Sequence, residues 1–410
     1  MLEQYLASPV TRQRLQSGPL ADHVTGFAEW LHHHGYRPLS IEQRLRSLAG
    51  WSERMCAAEF CAHDVLAAFE RCQPHKKKGF DCINKNVRYD HVNAAALYIK
   101  FLREQKVIPQ PAARILPTER WPLLGSFQSW MAQHRGLRES TLSTYQVVLI
   151  DLLEALGDAP LAYTAEALRA FIMRRSQPYG VARAKSIVVA IRTFLRFLEA
   201  TGRCSSGMAD AIPGFASWSL STVPRFLEPE DVERVVDACN GDAWVRDRAV
   251  ILLLARLGLR ASEVAQITFA DIDWTNGRIA VCGKSRRQEW LPLPQEVGDA
   301  ILLYLQRDRP PLPVPEVFCM RLAPRRPVTR AAVTHIVRSA LKRAGIVAPV
   351  NGAHLLRHSA ATAMLRQGAS LAGVGAVLRH RSPATTAHYA KVDFTLLSEI
   401  AQPWPGVSSC

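Results

Sequence analysis

The sequence predicts a mainly α protein: two small helical domains, then an α+β domain with a small antiparallel sheet. Three observations predict it. Apolar residues recur at helical spacing through the first half, as in Phe27-Ala28-Glu29-Trp30-Leu31. That pattern returns about a hundred residues later as Phe127-Gln128-Ser129-Trp130-Met131. Further on, Arg278-Ile279-Ala280-Val281 and Glu289-Trp290-Leu291-Pro292-Leu293 flank a Gly-Lys-Ser turn and read as a hairpin.

In chain order, Gly35 ends the first strong helix, and Ser40-Ile41-Glu42-Gln43 has the form of a capping box opening the next. Leu45, Leu48 and Trp51 continue its apolar face. A helix is expected through Val65 to Phe69, and another carries Val92, Ala95, Ala96, Ile99, Phe101 and Leu102. In the second copy Ser140-Thr141-Leu142 opens a helix and Phe197-Leu198-Glu199 closes the unit. Ile108 to Pro117 is proline-rich and Gly202 to Pro224 lacks periodicity, so both read as linkers. The expected domains are 1–107, 118–203 and 223–410. In the last, Pro229-Glu230-Asp231 starts a helix with proline early and acids in the first turn. Ala249 to Leu257 is a buried helix stopped at Gly258, and Ala261 to Val264 opens another. Gln295 to Leu305 is helical, Pro310 to Pro315 is a loop, and helical patterns run on to the C-terminus.

The 410 residues carry 51 Lys and Arg against 36 Asp and Glu, a formal charge of +15. So basic a chain points to a polyanionic partner, and nucleic acid leads. With 48% hydrophobic and 21% charged residues the composition is that of a globular protein. No apolar run is long enough to cross a membrane, and Met1 to Leu15 lack a signal-peptide core, so the expected location is the cytoplasm, with the nucleoid. Nine cysteines without a Cys-x-x-Cys pair read as reduced thiols. Cys56, Cys61, His63, Cys72 and His75 match no standard zinc spacing, and no metal site is expected.

The chemistry concentrates near the end: His354-Leu355-Leu356-Arg357-His358-Ser359, then Leu378-Arg379-His380, then Tyr389. A phenol is a poor nucleophile at its ordinary pKa of ~10 and needs help. A guanidinium is the preferred fork for a phosphate. Together they suggest attack by Tyr389 on a phosphodiester. Singly, each residue has a plainer reading. Arg260 and Glu263 stand at ion-pair spacing, His354, His358, His380 and His388 read as core or surface histidines, and Tyr389 reads as a core ring.

Leu257-Gly258-Leu259-Arg260-Ala261-Ser262-Glu263-Val264, Gly283-Lys284, His354 to Ser359, Leu378-Arg379-His380 and Thr386-Ala387-His388-Tyr389 resemble, in order and spacing, the successive boxes of the tyrosine recombinase (phage-integrase-type) family. The helical domain before them is similar to the family's core-binding domain. The first helical domain and the ending Ala401 to Gly406 resemble the transposon-associated branch. The resemblance implies that Arg260 and Arg357 grip the scissile phosphate, Tyr389 attacks it, Lys284 protonates the leaving oxygen, His354 assists proton transfer at the nucleophile and His380 bonds the phosphate. It implies no cofactor, a 3′-phosphotyrosyl intermediate, a double-stranded DNA partner with specific sites, and a tetramer on DNA, with or without related recombinases. The implied role is integration, excision or transposition of a mobile element. Two alternatives are a topoisomerase of the same chemistry and a DNA-binding regulator with an inactive site. Two departures from the family pattern concern local backbone: Arg379 and Ser285 stand where glycine is usual. Arg379 is left between a phosphate contact and a solvent-facing side chain. Lys76, Lys77, Lys78, Arg286 and Arg287 are candidate DNA contacts. Phe394, Leu396, Leu397 and Ile400 are spaced as a helical arm for docking on a neighbouring subunit.

Overall fold

A computed structural model describes residues 2–17, 20–52, 83–110, 115–216, 224–282, 288–348, 350–380 and 382–392. The expected helix at Val65 to Phe69, the Cys56 to His75 group, Lys76 to Lys78, Lys284, Arg286, Arg287 and the tail from Phe394 lie outside the described residues.

The first bundle comprises α1 (Leu2–Tyr5), α2 (Pro9–Ser17), α3 (Ala21–His33), α4 (Pro38–Ser52) and α5 (Ile83–Glu104). Its helices bury one apolar stripe each, through Leu15, Val24, Phe27, Leu31, Leu45, Leu48, Tyr98 and Leu102. Gly35 ends α3 at φ +77°, a conformation that costs glycine nothing. Ser40 is not the cap of α4. The helix starts at Pro38, whose fixed φ and missing N–H suit a first turn, and Ser40 already lies inside it. Ala96, expected on the buried face of α5, is exposed, and Tyr98 is buried instead.

A second bundle holds α6 (Pro117–Arg120), α7 (Pro122–Arg135), α8 (Glu139–Leu156), α9 (Ala165–Ser176) and α10 (Val181–Ala200). Its core repeats an aromatic arrangement of the first. Phe27 lies edge-on to Tyr98 at 5.0 Å and against Phe101 at 5.6 Å. Phe127 lies edge-on to Phe194 at 5.3 Å and against Phe197 at 5.6 Å. Trp30 and Trp130 each flank the outer phenylalanine. The chain after α10, which reads as a linker, folds back instead. Cys204, Ala209 and Ile212 are buried in this core, held by Glu199 on the Ala209 N–H and by Arg169 and Arg192 on the carbonyls of Ala211 and Ile212. Side-chain-to-backbone bonds need no periodicity, which is why the sequence pattern misses them.

The chain clusters into two compact units: Pro111–Ser221 is one, and Met1–Gln110 with Thr222–Cys410 is the other. Within the larger unit Ala323 packs against the core of the first bundle. The C-terminal part is built around α12 (Val245–Arg256), in which Ala249 to Ala255 are all buried. A helix apolar on every side belongs at the centre, and α12 packs against α14 (Gln295–Arg307) and α16 (Ala353–Arg366). Around it stand α11 (Pro229–Asp237), α13 (Ala261–Gln266) and α15 (Arg330–Arg343). The sheet is antiparallel with order β1-β2-β3: β1 (Ile272–Asp273), β2 (Arg278–Cys282) and β3 (Gln288–Pro292). The two-residue β1 adds an edge strand to the expected hairpin. The stretch after α14 is not helical. It bridges Glu316 to Thr268 and Cys319 to Pro327. The described chain ends on α17 (Leu371–Val377), α18 (Pro383–Ala387) and a 3-10 turn, His388–Val392.

Candidate active site

Four short segments converge at one corner of the C-terminal part. Gly258 turns the chain out of α12 at φ +58°, and a Cβ there would stand 2.6 Å from Leu378 Cδ2. Only glycine meets both demands, and the turn delivers Arg260 to the start of α13. The Arg260 backbone N–H donates to Glu263 Oε2 at 2.7 Å, and its guanidinium donates to Glu263 Oε1 at 2.6 Å. The plain ion-pair reading of Arg260 is therefore correct as far as it goes, and it fixes the side chain beside the other guanidinium groups.

Arg357 is 3% exposed on the inner face of α16. It donates to the carbonyls of Gly258 and Leu378, and so ties α16 to both turns. Burial first, then the neighbouring Arg260, lowers its pKa to about 10; it remains a cation at neutral pH. Arg379 does not point its side chain to solvent. Its side chain is 3% exposed and donates to Glu263 Oε2 at 2.7 Å. Its φ of +54° is the left-handed conformation that makes glycine usual at this position. Burial alone would raise the Glu263 carboxyl, but Arg379 and the groups of Arg260 outweigh it and hold it ionised. Arg260, Arg357 and Arg379 thus face a single carboxylate. The excess positive charge, largely out of water, favours an anion.

Tyr389, on the 3-10 turn, is 3% exposed. Its hydroxyl is hydrogen-bonded to His358 Nδ1 at 2.7 Å. Its ring lies parallel to His380 at 6.1 Å and edge-on to His388 at 6.2 Å. Burial raises the phenol pKa, while Arg357 and Arg260 pull it down; burial prevails. Both guanidinium groups are thus within electrostatic reach of the oxygen in one chain. Burial, with His354, His388 and Arg357 nearby, lowers His358 to about 4, and burial with Arg357 lowers His380 to about 4. Both are neutral imidazoles at pH 7. His380 Nδ1 is engaged by Thr386 Oγ1 at 2.9 Å.

His354 is exposed one turn before His358 on α16, with ring centroids 6.3 Å apart. It opens onto a cleft of about 890 Å³ lined by Arg225, Arg260, Arg330, Thr334, Asn351 and His358 among others. The corner therefore brings together Arg260, His354, Arg357, His380 and Tyr389. Sequence reasoning missed His358 as the partner of the phenol. The available signal was its i, i+4 spacing from His354, which puts both on one helix face.

The phage integrase family model matches residues 225–395, which contain every segment of this corner. The integrase/recombinase y4rA of Sinorhizobium fredii is 35% identical over 415 residues, covering 99% of this chain and 99% of that protein. The chain belongs to the phage integrase family. It is a tyrosine site-specific recombinase, as the similarity to tyrosine recombinase XerA of Pyrococcus furiosus also indicates: 29% identity over 287 residues, 70% of this chain and 94% of that one. Among solved structures, the XerH recombinase bound to a palindromic difH substrate matches with a TM-score of 0.55 at 20% identity, over 67% of this chain and 83% of that one. A lambda integrase (75–356) dimer bound to a core site matches with a TM-score of 0.53 at 18% identity, over 70% and 98%. At such identity these two speak for the recombinase fold alone.

Proposed function

We propose that this recombinase cuts and rejoins double-stranded DNA at specific sites through a 3′-phosphotyrosyl intermediate, in the integration, excision or transposition of a mobile element. The observation that carries the reading is the Tyr389 hydroxyl, buried on an imidazole and within the field of Arg260 and Arg357. Arg260 and Arg357 hold the non-bridging oxygens and stabilise charge as phosphorus becomes five-coordinate. Lys284 protonates the leaving 5′-oxygen, His380 supports the phosphate and His354 assists proton transfer. The ester stores the energy of the broken bond, so rejoining needs no nucleotide. The two helical domains and the catalytic domain bind the duplex, chiefly through phosphates, with Lys76 to Lys78, Arg286 and Arg287 among the contacts. Four copies assemble on two sites.

The test is a nicked duplex incubated with the protein and run on a denaturing gel. The expected result is a covalent adduct that Tyr389→Phe abolishes. Products with exchanged flanks distinguish recombination from supercoil relaxation. Failure to form an adduct on any selected site would favour a binding-only role. Affinity should fall steeply between low and moderate salt, because phosphate contacts release counterions.

A further inference from the structure

We propose that His358, rather than His354, takes the proton of the Tyr389 hydroxyl as that oxygen attacks phosphorus. The proposal rests on the phosphotyrosyl reading above and reassigns one step within it, the proton transfer given there to His354.

Three imidazoles, those of His358, His380 and His388, meet the Tyr389 ring, and a fourth, His354, meets His358. His380 lies parallel to the ring, and its Nδ1 is bonded to Thr386 Oγ1. His388 meets the ring edge-on. His354 stands one helical turn before His358, with ring centroids 6.3 Å apart, and lines the cleft together with His358 and His388. The imidazole of His358 is hydrogen-bonded to the oxygen through Nδ1, at 2.7 Å. The direction of that bond follows from the surroundings. The charged groups in reach of the oxygen, Arg357 and Arg260, are donors only. The phenol proton therefore points to His358 Nδ1, and the ring carries its own proton on Nε2. Burial keeps the imidazole neutral and ready to accept.

As a lone pair of Tyr389 Oη forms the bond to phosphorus, the hydroxyl proton moves to His358 Nδ1. The bond from phosphorus to the 5′-oxygen breaks, its electron pair leaves with that oxygen, and Lys284 supplies the proton there. In rejoining, the 5′-hydroxyl gives its proton to the Lys284 amine and attacks phosphorus. The bond to Tyr389 breaks, and Oη takes its proton back from His358. A weakly basic imidazole suffices because the proton on Oη becomes strongly acidic as the new bond forms, so the transfer turns downhill part-way through. The negative charge of a bound phosphodiester also raises the imidazole's proton affinity.

The test uses the full chain and a nicked duplex with a 5′-bridging phosphorothiolate at the cut, built on a sequence that the protein enriches from a random duplex library. A thiolate leaves without an acid, so the rate reports the nucleophile's side. His358→Leu and His358→Asn should each slow adduct formation by roughly 10²–10⁴-fold, with DNA affinity unchanged. The loss should shrink as pH rises and phenolate forms unaided. Asparagine offers an acceptor near the Nδ1 position but cannot take a proton. Wild-type rates in His358→Asn would reduce the residue to positioning and overturn the proposal, as would a larger loss in His354→Leu than in His358→Leu. An adduct that survives Tyr389→Phe would sink the phosphotyrosyl reading itself, and the proposal with it. A measurement without His358 variants guards against misfolding. In ¹⁵N-imidazole spectra at neutral pH, Tyr389→Phe should shift an unprotonated Nδ1 signal; a shift of a protonated one overturns the assignment.

Discussion

Two kinds of ring cluster are buried in this chain, and they do opposite work. In the second bundle Phe127, Phe194, Phe197 and Trp130 meet one another at 5.3–6.1 Å, within a core that is mostly aliphatic. At the candidate active site Tyr389 is ringed by His358, His380 and His388 at 5.5–6.2 Å. The aliphatic core immediately beneath it is small: Ala361, Leu365, Val374 and Leu378. Burying Phe127 removes carbon from water and stabilises the bundle by about 1.5–3 kcal/mol. Burying the imidazoles and guanidinium groups costs stability, since each is taken from water with incomplete compensation. What that cost gives is reactivity: neutral imidazoles, and cations with few carboxylates to quench them. The first cluster builds a platform; the second, on the function proposed above, builds a reagent.

The comparison breaks most sharply under a pair of substitutions. Tyr389→Phe should eliminate the covalent DNA adduct while lowering stability by only about 1 kcal/mol, the worth of one hydrogen bond. Phe127→Ala should cost about 3–5 kcal/mol of bundle stability yet leave the rate of adduct formation on saturating DNA near wild type wherever the bundle remains folded. Urea titration and single-turnover cleavage measure the two axes. A Tyr389→Phe protein that unfolds early, or a Phe127→Ala protein that is folded, DNA-bound and inert, would collapse the distinction.

A pH titration sharpens it further. His358 and His380 titrate at about 4 in the folded chain against an ordinary 6.5. Between those values the unfolded chain binds protons that the folded chain refuses, so these two sites contribute stability that is present near pH 7 and lost as pH falls toward 4. The urea midpoint of the larger unit should drop across that window, and His380→Asn should drop less. An equal drop in wild type and variant would mean that the loss comes from other groups.

How much of this was legible in the sequence follows the same division. The carbon clusters write themselves into periodicity, so Phe27, Trp30, Phe127 and Trp130 mark both bundles and their likeness. The turn at Gly258 and the opening of α13 were equally plain, because glycine and a first-turn acid at Glu263 are local signals. Ser40 misled because a capping box and a Pro38 start compete within three residues, and proline's fixed φ decides. The fold-back to Ile212 carries no period at all. At the corner, the residue types were legible but their pairings were not. Whether Tyr389 meets His354 or His358 depends on how the 3-10 turn docks on α16, a tertiary fact with no trace in spacing. The place of Arg379 likewise turned on Glu263, 116 residues earlier.

That arginine supplies the subtlest discrimination between platform and reagent. Arg379 pays for its place with a left-handed φ of +54° and a buried Nε without a hydrogen-bond partner among the described residues. It recovers part of that through Glu263. Arg379→Gly would relieve the backbone, worth about 1 kcal/mol, and delete one of the clustered cations, but it would also strip Glu263 of a partner. The two effects oppose, so the net change in stability should be small, within about 1 kcal/mol. The rate should not be neutral. With Arg379 gone, Glu263 has only Arg260 to satisfy it and holds that guanidinium more tightly against the carboxylate, away from a phosphate. Cleavage should slow modestly, and Glu263→Gln in the same background should restore part of the rate by loosening the grip. If Arg379→Gly leaves single-turnover cleavage unchanged and only shifts the urea midpoint, Arg379 belongs with the phenylalanines as packing, and the corner holds two working arginines with a structural third.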